Sequence, residues 1–504
     1  MPFPLSLTGL SSGMPIPGTY IEVQFAAGTA GGDLSAKKVL LLASSLAAGT
    51  IVQDTEIYGP ISGVDEAELK GGSGSPLHRM ARAFFAVNKT AQVYLCAPTR
   101  SAGTQATFSI TIATNATGAG VAKILFCEES LEYAFLSGDT PTIIAAGLVA
   151  AFNAKTALPA TAANAAGVVT LTAKVPGPEG NALLAVAAIT SGVATTVTNT
   201  TESAFAGGAT SASYTNALVT LAAQDFDLIV PGTHAGAGAD TALSALVAQI
   251  NVQALPVTGI RQKVIAGVAL APSTAVTLAQ SINKPRLDIV NYRGSSIEPC
   301  VVAAVAAAVQ ANTYFGDPSI NLAGYGKGAN DIFPLARPRV AANAFTTTEQ
   351  TLLLNGGVTP IAVTATGTPY IVREVTTYSL NGATPDYRVR DSHRVMVADW
   401  FADTLAARLA TAPWKKICED PPNDVQPPSN FGTPKRVKGL VEQLVSDAVD
   451  FGYVDPAKKL QTMSELAVGI DPIVPTRMNI RCPVYSANLF LQSASLIAES
   501  SSAS

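Results

Sequence analysis

Charge is scarce in this 504-residue chain: 13% of its residues are charged and 48% are apolar, where a soluble domain ordinarily carries about 25% charged residues. A molecule that hides much of its surface in an assembly tolerates so little charge, although a surplus of alanine, too small to force burial, gives a similar ratio. The net charge of −4 and the lack of any dense Lys/Arg block exclude the basic footprint of a nucleic-acid binder. Only three histidines occur, His78, His234 and His393, and the five cysteines (Cys96, Cys127, Cys300, Cys418, Cys482) include no CxxC pair. They read as reduced, mostly buried small hydrophobes, not as a disulfide framework or a zinc site. Cys127-Glu128-Glu129 has no His near it in sequence and is set aside as a metal site. The longest apolar run, around Val301–Val309, falls short of the roughly 20 residues that span a bilayer. Met1–Gly13 lacks the basic and apolar regions of a signal peptide. A cytoplasmic product with no membrane anchor of its own is expected.

What is present falls into blocks, and the length gives a prior of two to four domains. Residues 1–24 hold Pro2, Pro4, Pro15 and Pro17 among Gly and Ser, so no helix runs through them. They end in the strand-like Tyr20, Ile21, Glu22 and Val23, and Gln24–Ala36 is a Gly/Ala linker. Residues 1–36 therefore read as an extended arm. From Lys37 the pattern is strand (Val39–Ala43), helix (Pro76–Val87), strand (Gln92–Cys96). It resumes with strands Phe226–Val230, Val264–Leu270 and Leu287–Asn291 and helices Ala217–Ala223, Ala239–Val252 and Thr274–Ile282. Near-continuous apolar strands alternating with helices predict a mainly parallel sheet covered on both faces, an α/β domain over 37–98 and 211–345.

The interruption over 99–210 is different, with only ten charged residues and much Thr, Ala and Gly. Strands Thr107–Thr114, Ala122–Phe126 and Val168–Ala173 and a helix Thr140–Asn153 predict an inserted domain, α+β or β-rich. Residues 346–484 predict an α+β domain. Thr346 and Glu349 form a capping box, Gly356-Gly357 closes the helix, and strands Val358–Val363 and Tyr370–Thr376 follow. A helix Val395–Leu409 buries Val397, Trp400, Phe401, Leu405 and Leu409. A second, with Thr433 as N-cap and Pro434 in its first turn, buries Val437, Leu440, Val441, Leu444 and Val445. In Arg477–Val484 the alternation places Met478, Ile480, Cys482 and Val484 on one face and Arg477, Asn479 and Arg481 on the other. Residues 386–481 hold 13 basic and 13 acidic residues, a surface suited to many ionic contacts without long-range repulsion. Residues 485–504 are a second arm.

The segment Leu352-Leu-Leu-Asn-Gly-Gly-Val-Thr-Pro360, followed by Tyr370-Ile-Val-Arg-Glu-Val-Thr-Thr-Tyr378, resembles the most recognisable stretch of contractile phage tail sheath proteins of the Mu-like kind. Pro17-Gly-Thr-Tyr-Ile-Glu-Val23 is similar to the family's N-terminal signature, and Arg286-Leu-Asp-Ile-Val-Asn-Tyr292 and the order of elements also fit. The resemblance implies a subtilisin-like topology for the central domain. It also implies a structural subunit, not an enzyme, that needs no cofactor and stacks as six-fold rings around a tail tube and contracts. Its partners would be other copies of itself, the tube protein, and baseplate and tail terminator proteins. Its place would be the virion tail, after assembly in the host cytoplasm. An adhesin or fibre-like module, suggested by the Thr/Ala/Gly-rich insertion, and a catalytically dead hydrolase-fold protein are the alternatives.

Candidate chemical sites are weak. Gly232-Thr-His234-Ala-Gly-Ala-Gly238 is similar to the turn around a subtilase histidine, but Pro231 stands at the catalytic position and no nucleophile motif occurs, so a triad is not assembled. Gly71-Gly-Ser-Gly-Ser75 lacks the Lys-Ser/Thr ending of a P-loop and reads as linker and helix cap; Gly324-Tyr-Gly-Lys-Gly328 reads as a flexible loop. Asp399 and Asp403 share a helix face opposite the apolar stripe and read as solvated or inter-subunit charges. His393, among Arg388, Arg390 and Arg394, is a poor metal ligand. The expected sites are therefore contacts between subunits. Tyr20, Ile21, Glu22 and Val23 at one end, and Leu489, Phe490, Leu491, Leu496 and Ile497 at the other, are too apolar to leave in water and too few to form a core. Both ends are expected to add as strands to neighbouring subunits. Lys458 and Lys459, after the helix start Asp455-Pro456, are the candidate tube contact, with a solvated helix face as the alternative.

Overall fold

The computed structural model describes residues 37–191, 193, 195–233, 238–328, 331, 333–422 and 425–485. Both arms, with Tyr20–Val23 and Leu489–Ile497, lie outside them, as does His234.

An eight-stranded sheet organises the chain. Its order is Pro369–Ile371, Thr359–Val363, Leu287–Asn291, Lys263–Val268, Leu228–Pro231, Lys38–Leu42, Gln92–Cys96 and Ile57–Ile61. The six inner strands pair in parallel and each edge strand is antiparallel to its neighbour. The continuous apolar runs follow from burial on both faces. Val39, Leu41, Val93, Leu95, Leu228, Val230 and Ile265 point into one core, beneath the helices Pro76–Val87 and Pro299–Gly316. Leu40, Leu42, Ile229, Val264, Ala266 and Ile289 point into the other, beneath Thr215–Leu221, Thr241–Gln253, Pro272–Ile282 and Thr347–Asn355. The run Val301–Val309 is buried throughout, inside the helix Pro299–Gly316. At Gly267 that helix crosses so close that a Cβ would run into the Pro299 carbonyl.

Residues 105–204 build two four-stranded antiparallel sheets and the helix Pro141–Asn153, capped by Thr140. Phe126 stands 5.3 Å from Phe152 and 5.5 Å from Phe205 by ring centroids, and seals the space between these layers. The chain leaves and returns side by side, with Thr99 bridged to Ser213. Alternation along Gln105–Ala113 is strict, buried against exposed, whereas the strands Glu129–Phe135, Ala160–Ala165 and Leu184–Ile189 were not foreseen.

Beyond residue 392 the helices His393–Thr411 and Pro434–Asp450 pack with a hairpin, Ala467–Ile470 and Met478–Arg481, around Phe401, Leu405, Val441, Leu444 and Val445. Thr433 caps the second helix as expected, accepting from the Arg436 N–H. The capping box of Thr346 and Glu349 is formed. Three expectations are corrected. Trp400, Leu409 and Leu440 are half-buried at the rim of this core. Asn479 is 1% exposed, because Asp471 accepts from its amide at 2.9 Å; the opposite face of the strand is thus not simply wet. The strand expected over Tyr370–Thr376 ends at Ile371, and the residues after it leave the sheet.

Candidate functional site

Those departing residues are the ones that carried the family resemblance, and they form a strap between the central sheet and the C-terminal helices. Arg373 makes a bidentate pair with Asp391 at 2.7 and 2.9 Å. The Thr376 hydroxyl donates to the Val389 carbonyl, and the Thr377 hydroxyl to that of Lys284. The Thr377 N–H donates to the Leu287 carbonyl. Tyr378 donates to Asp386. At Gly357 the backbone takes φ +78°, where a Cβ would press on the Thr376 and Thr377 carbonyls; only glycine lets the strap pass. Thr376 and Thr377 thus bond to the backbone of other segments, and Arg373 to a carboxylate.

Under the strap lies a charged cluster at the amino ends of the inner strands. The Lys263 ammonium, 1% exposed, sits 2.7 Å from Asp288 and 3.3 Å from Glu374. Ser392 donates to Asp288 at 2.6 Å and Gln310 at 3.2 Å, while Tyr314 donates to Glu374 at 2.6 Å. Burial pushes the Glu374 carboxyl up, against the opposing pull of Lys263, and Asp288 adds to the rise. His393 is buried beside this cluster and burial pushes it down to about 4, so it is neutral at physiological pH. Charges this deep persist only when paired and hydrogen-bonded.

A second joint corrects the reading of Asp399 as a solvated charge, whereas Asp403 is exposed as expected. Asp399 is 8% exposed and takes both Arg286 guanidinium nitrogens, at 2.7 and 2.6 Å; Arg261 pairs with Asp403. At Asp399 the helix His393–Thr411 is thus tied to the central sheet. Sequence reasoning missed this because the partners lie 113 and 142 positions away. The even balance of charge in residues 386–481 was the only signal.

The other candidates resolve simply. Ser75 caps the helix Pro76–Val87, and the His78 ring accepts from the Gly74 N–H, so the glycine-rich segment is linker and cap. Gly324–Gly328 is pinned, with the Gly326 and Gly328 N–H groups donating to Asp331. No metal-binding cluster of His, Cys, Asp or Glu occurs among the described residues, and none of their helices is long and apolar enough to cross a membrane. Asp455 caps the turn Pro456–Lys458 that opens the helix Lys459–Glu465. Lys458 is exposed, with its ammonium 3.1 Å from Gln461, Lys459 is half-exposed, and Leu460 beside them is 79% exposed.

This is a mixed α/β protein of several sheets whose buried charges join one part of the chain to another. No family model matches the chain. It is 29% identical over 178 residues to the Mu-like prophage tail sheath protein of Haemophilus influenzae. The match takes in 35% of this chain and 36% of the relative, so the chain spans little more than a third of that relative's length. The chain is thus similar to tail sheath proteins of the Mu-like kind. Among solved structures, the sheath tail protein of Desulfitobacterium hafniense superposes with TM-score 0.46 at 12% identity, covering 90% of this chain and 93% of its own. The sheath of an extracellular contractile injection system in its contracted state gives TM-score 0.45 at 12% identity, covering 97% and 98%.

Proposed function

We propose that this chain is a structural, non-enzymatic subunit of a contractile phage-type tail sheath. It polymerises as stacked six-subunit rings around a tail tube and shortens to drive the tube through a host envelope. The observation that carries this reading is the sequence match to a prophage tail sheath protein. The partners are then further copies of the chain, the tube protein, and the baseplate and terminator proteins, and the protein resides in the virion tail after assembly in the host cytoplasm. The parallel core is read as subtilisin-like without its chemistry. The domains are read as 37–98 with 211–345, an outer insertion at 99–210, and an assembly domain at 346–484.

Assembly is proposed to run through the arms. The hairpin Ala467–Ile470 and Met478–Arg481 is a two-stranded sheet with no third strand among the described residues, and the edge of a sheet is a template on which a further strand can pair. Tyr20–Val23 and the apolar Leu489, Phe490, Leu491, Leu496 and Ile497 supply strands of the right kind for those edges in neighbouring subunits. The linker Gln24–Ala36 gives about 40 Å of reach at 3.3–3.6 Å per residue. Lys458 and Lys459, on an exposed turn, are proposed to face the tube.

Electron microscopy of the purified protein tests the reading: striated cylinders are expected. Chains lacking residues 1–23 or 488–504 should keep normal circular dichroism yet build no cylinders. Cylinders of native stability from both truncations would refute strand donation, and particles no larger than a trimer from the full chain would refute the sheath.

A further inference from the structure

A cavity of about 440 Å³ opens where the inner strands end, within the roughly 300–1,000 Å³ of small-molecule sites. Its floor is the carboxyl edge of the parallel sheet, at Ser44 after Lys38–Leu42, Gly232 and Thr233 after Leu228–Pro231, and Leu270 after Lys263–Val268. From Lys38–Leu42 the sheet extends one way to Gln92–Cys96 and the other way to Leu228–Pro231. Where the chain reverses its direction of growth, the strand ends flank a crevice, the switch point at which open α/β sheets hold ligands. The roof comes from the insertion, at Pro159, Val175 and Leu183, and one wall from the start of the helix Pro299–Gly316.

The charged groups among the described lining residues, Glu179 and Glu298, are already committed. Both Glu298 oxygens accept from Arg79 at 2.7 Å. The Glu179 oxygens are buried on the side of Gly177, away from the cavity. Burial pushes this carboxyl up to about 7, against the pull of the Glu179 and Ala212 N–H groups. Burial likewise pushes the Cys300 thiol up to about 12, so it stays uncharged. The Asn181 amide is spent on the Gly208 backbone and the Ser295 hydroxyl on that of Ile297. A charged ligand entering here loses water and meets no free counter-charge, which is costly. An uncharged apolar one gains by burial.

We infer that this cavity binds a small, neutral, mainly apolar molecule, of the size of one aromatic ring with a short side arm, against Val175, Leu183, Val268 and Leu270. Because floor and roof come from different segments, occupancy ties the insertion to the central sheet. A ligand that binds only the folded chain also raises its melting temperature. The inference stands apart from the sheath reading and survives its failure.

2-Phenylethanol is the probe, with phenethylamine as its cationic analogue and phenylacetate as its anionic one. Each is titrated calorimetrically into the full chain at about pH 7, where the amine and the acid are both charged. The expected result is saturable one-site binding of the alcohol, with Kd on the order of millimolar for so small a ligand, and a raised melting temperature. Both ions should bind more weakly by about tenfold or more, since their charge is buried without a partner. Ala182→Trp on the half-buried roof and Ala269→Trp on the exposed rim each put a large ring at the cavity and should abolish saturable binding. Circular dichroism establishes that each variant is folded; if one misfolds, the other decides, together with the alcohol-to-ion ratio. Absence of saturable alcohol binding to the unmodified chain would overturn the inference. So would equal binding of the alcohol and the two ions, or unchanged alcohol affinity in the folded Trp variants.

Discussion

Replacing Lys263 by Met removes a buried charge while keeping the length of the side chain, so the loss is electrostatic and leaves no large hole. Lys263 and Asp288 are 1% and 0% exposed, and removing one partner from such a pair costs about 3–5 kcal/mol, because the carboxylates remain buried without a cation. At about 2–4 °C per kcal/mol for a cooperative unit of this size, the α/β domain should melt roughly 6–20 °C lower by calorimetry near pH 8. Glu374 is already pushed up by burial, against the pull of Lys263, and without Lys263 it takes a proton more readily still. A carboxyl whose folded-state pKa is raised contributes stability that is present at low pH and lost as pH rises. The deficit should therefore shrink near pH 5. Adding Glu374→Gln, which removes one of the stranded charges, should recover part of the loss. A deficit under about 1 kcal/mol near pH 8, or one independent of pH, would refute the view that this cluster holds the strap.

Asp399→Ala strands Arg286, whose side chain is 4% exposed; a cost of about 3 kcal/mol should appear as faster limited proteolysis between the central sheet and His393–Thr411. Gly267→Ala drives a Cβ into the Pro299 carbonyl, and a melting curve should show a loss of about 1–3 kcal/mol or failure to fold. Burial works against the charge on Asp471, but hydrogen bonds from Arg477, Asn479 and the Val474 and Ile473 N–H groups outweigh it and hold the carboxyl well below the usual range. That stability is present above the ordinary carboxylate pKa and lost as pH falls through the depressed one. Hydrogen exchange in the hairpin Ala467–Ile470 and Met478–Arg481 should accelerate under strongly acidic conditions, and Asp471→Asn should show the fast exchange already at neutral pH.

The sequence by itself determined what depends on near neighbours. Alternation of strands and helices through 37–98 and 211–345 fixed a parallel sheet covered on both faces, because burial on two sides demands unbroken apolar runs such as Val39–Leu42. Ser75, Thr140, Thr346 and Thr433 marked helix starts, because a cap satisfies N–H groups only two or three residues away. The resemblance in Ile371–Tyr378 was legible, but its physical content was not: the strap's partners are Lys284, Leu287, Val389 and Asp391. Only the tertiary structure decided that Asp399 faces Arg286 and that Asn479 is buried on Asp471. Each depends on what the chain brings alongside, and for Asp399 that partner lies 113 positions away. A carboxylate opposite an apolar stripe looks the same in sequence whether water or a buried guanidinium meets it, since the pattern records which side is polar and not what lies against it.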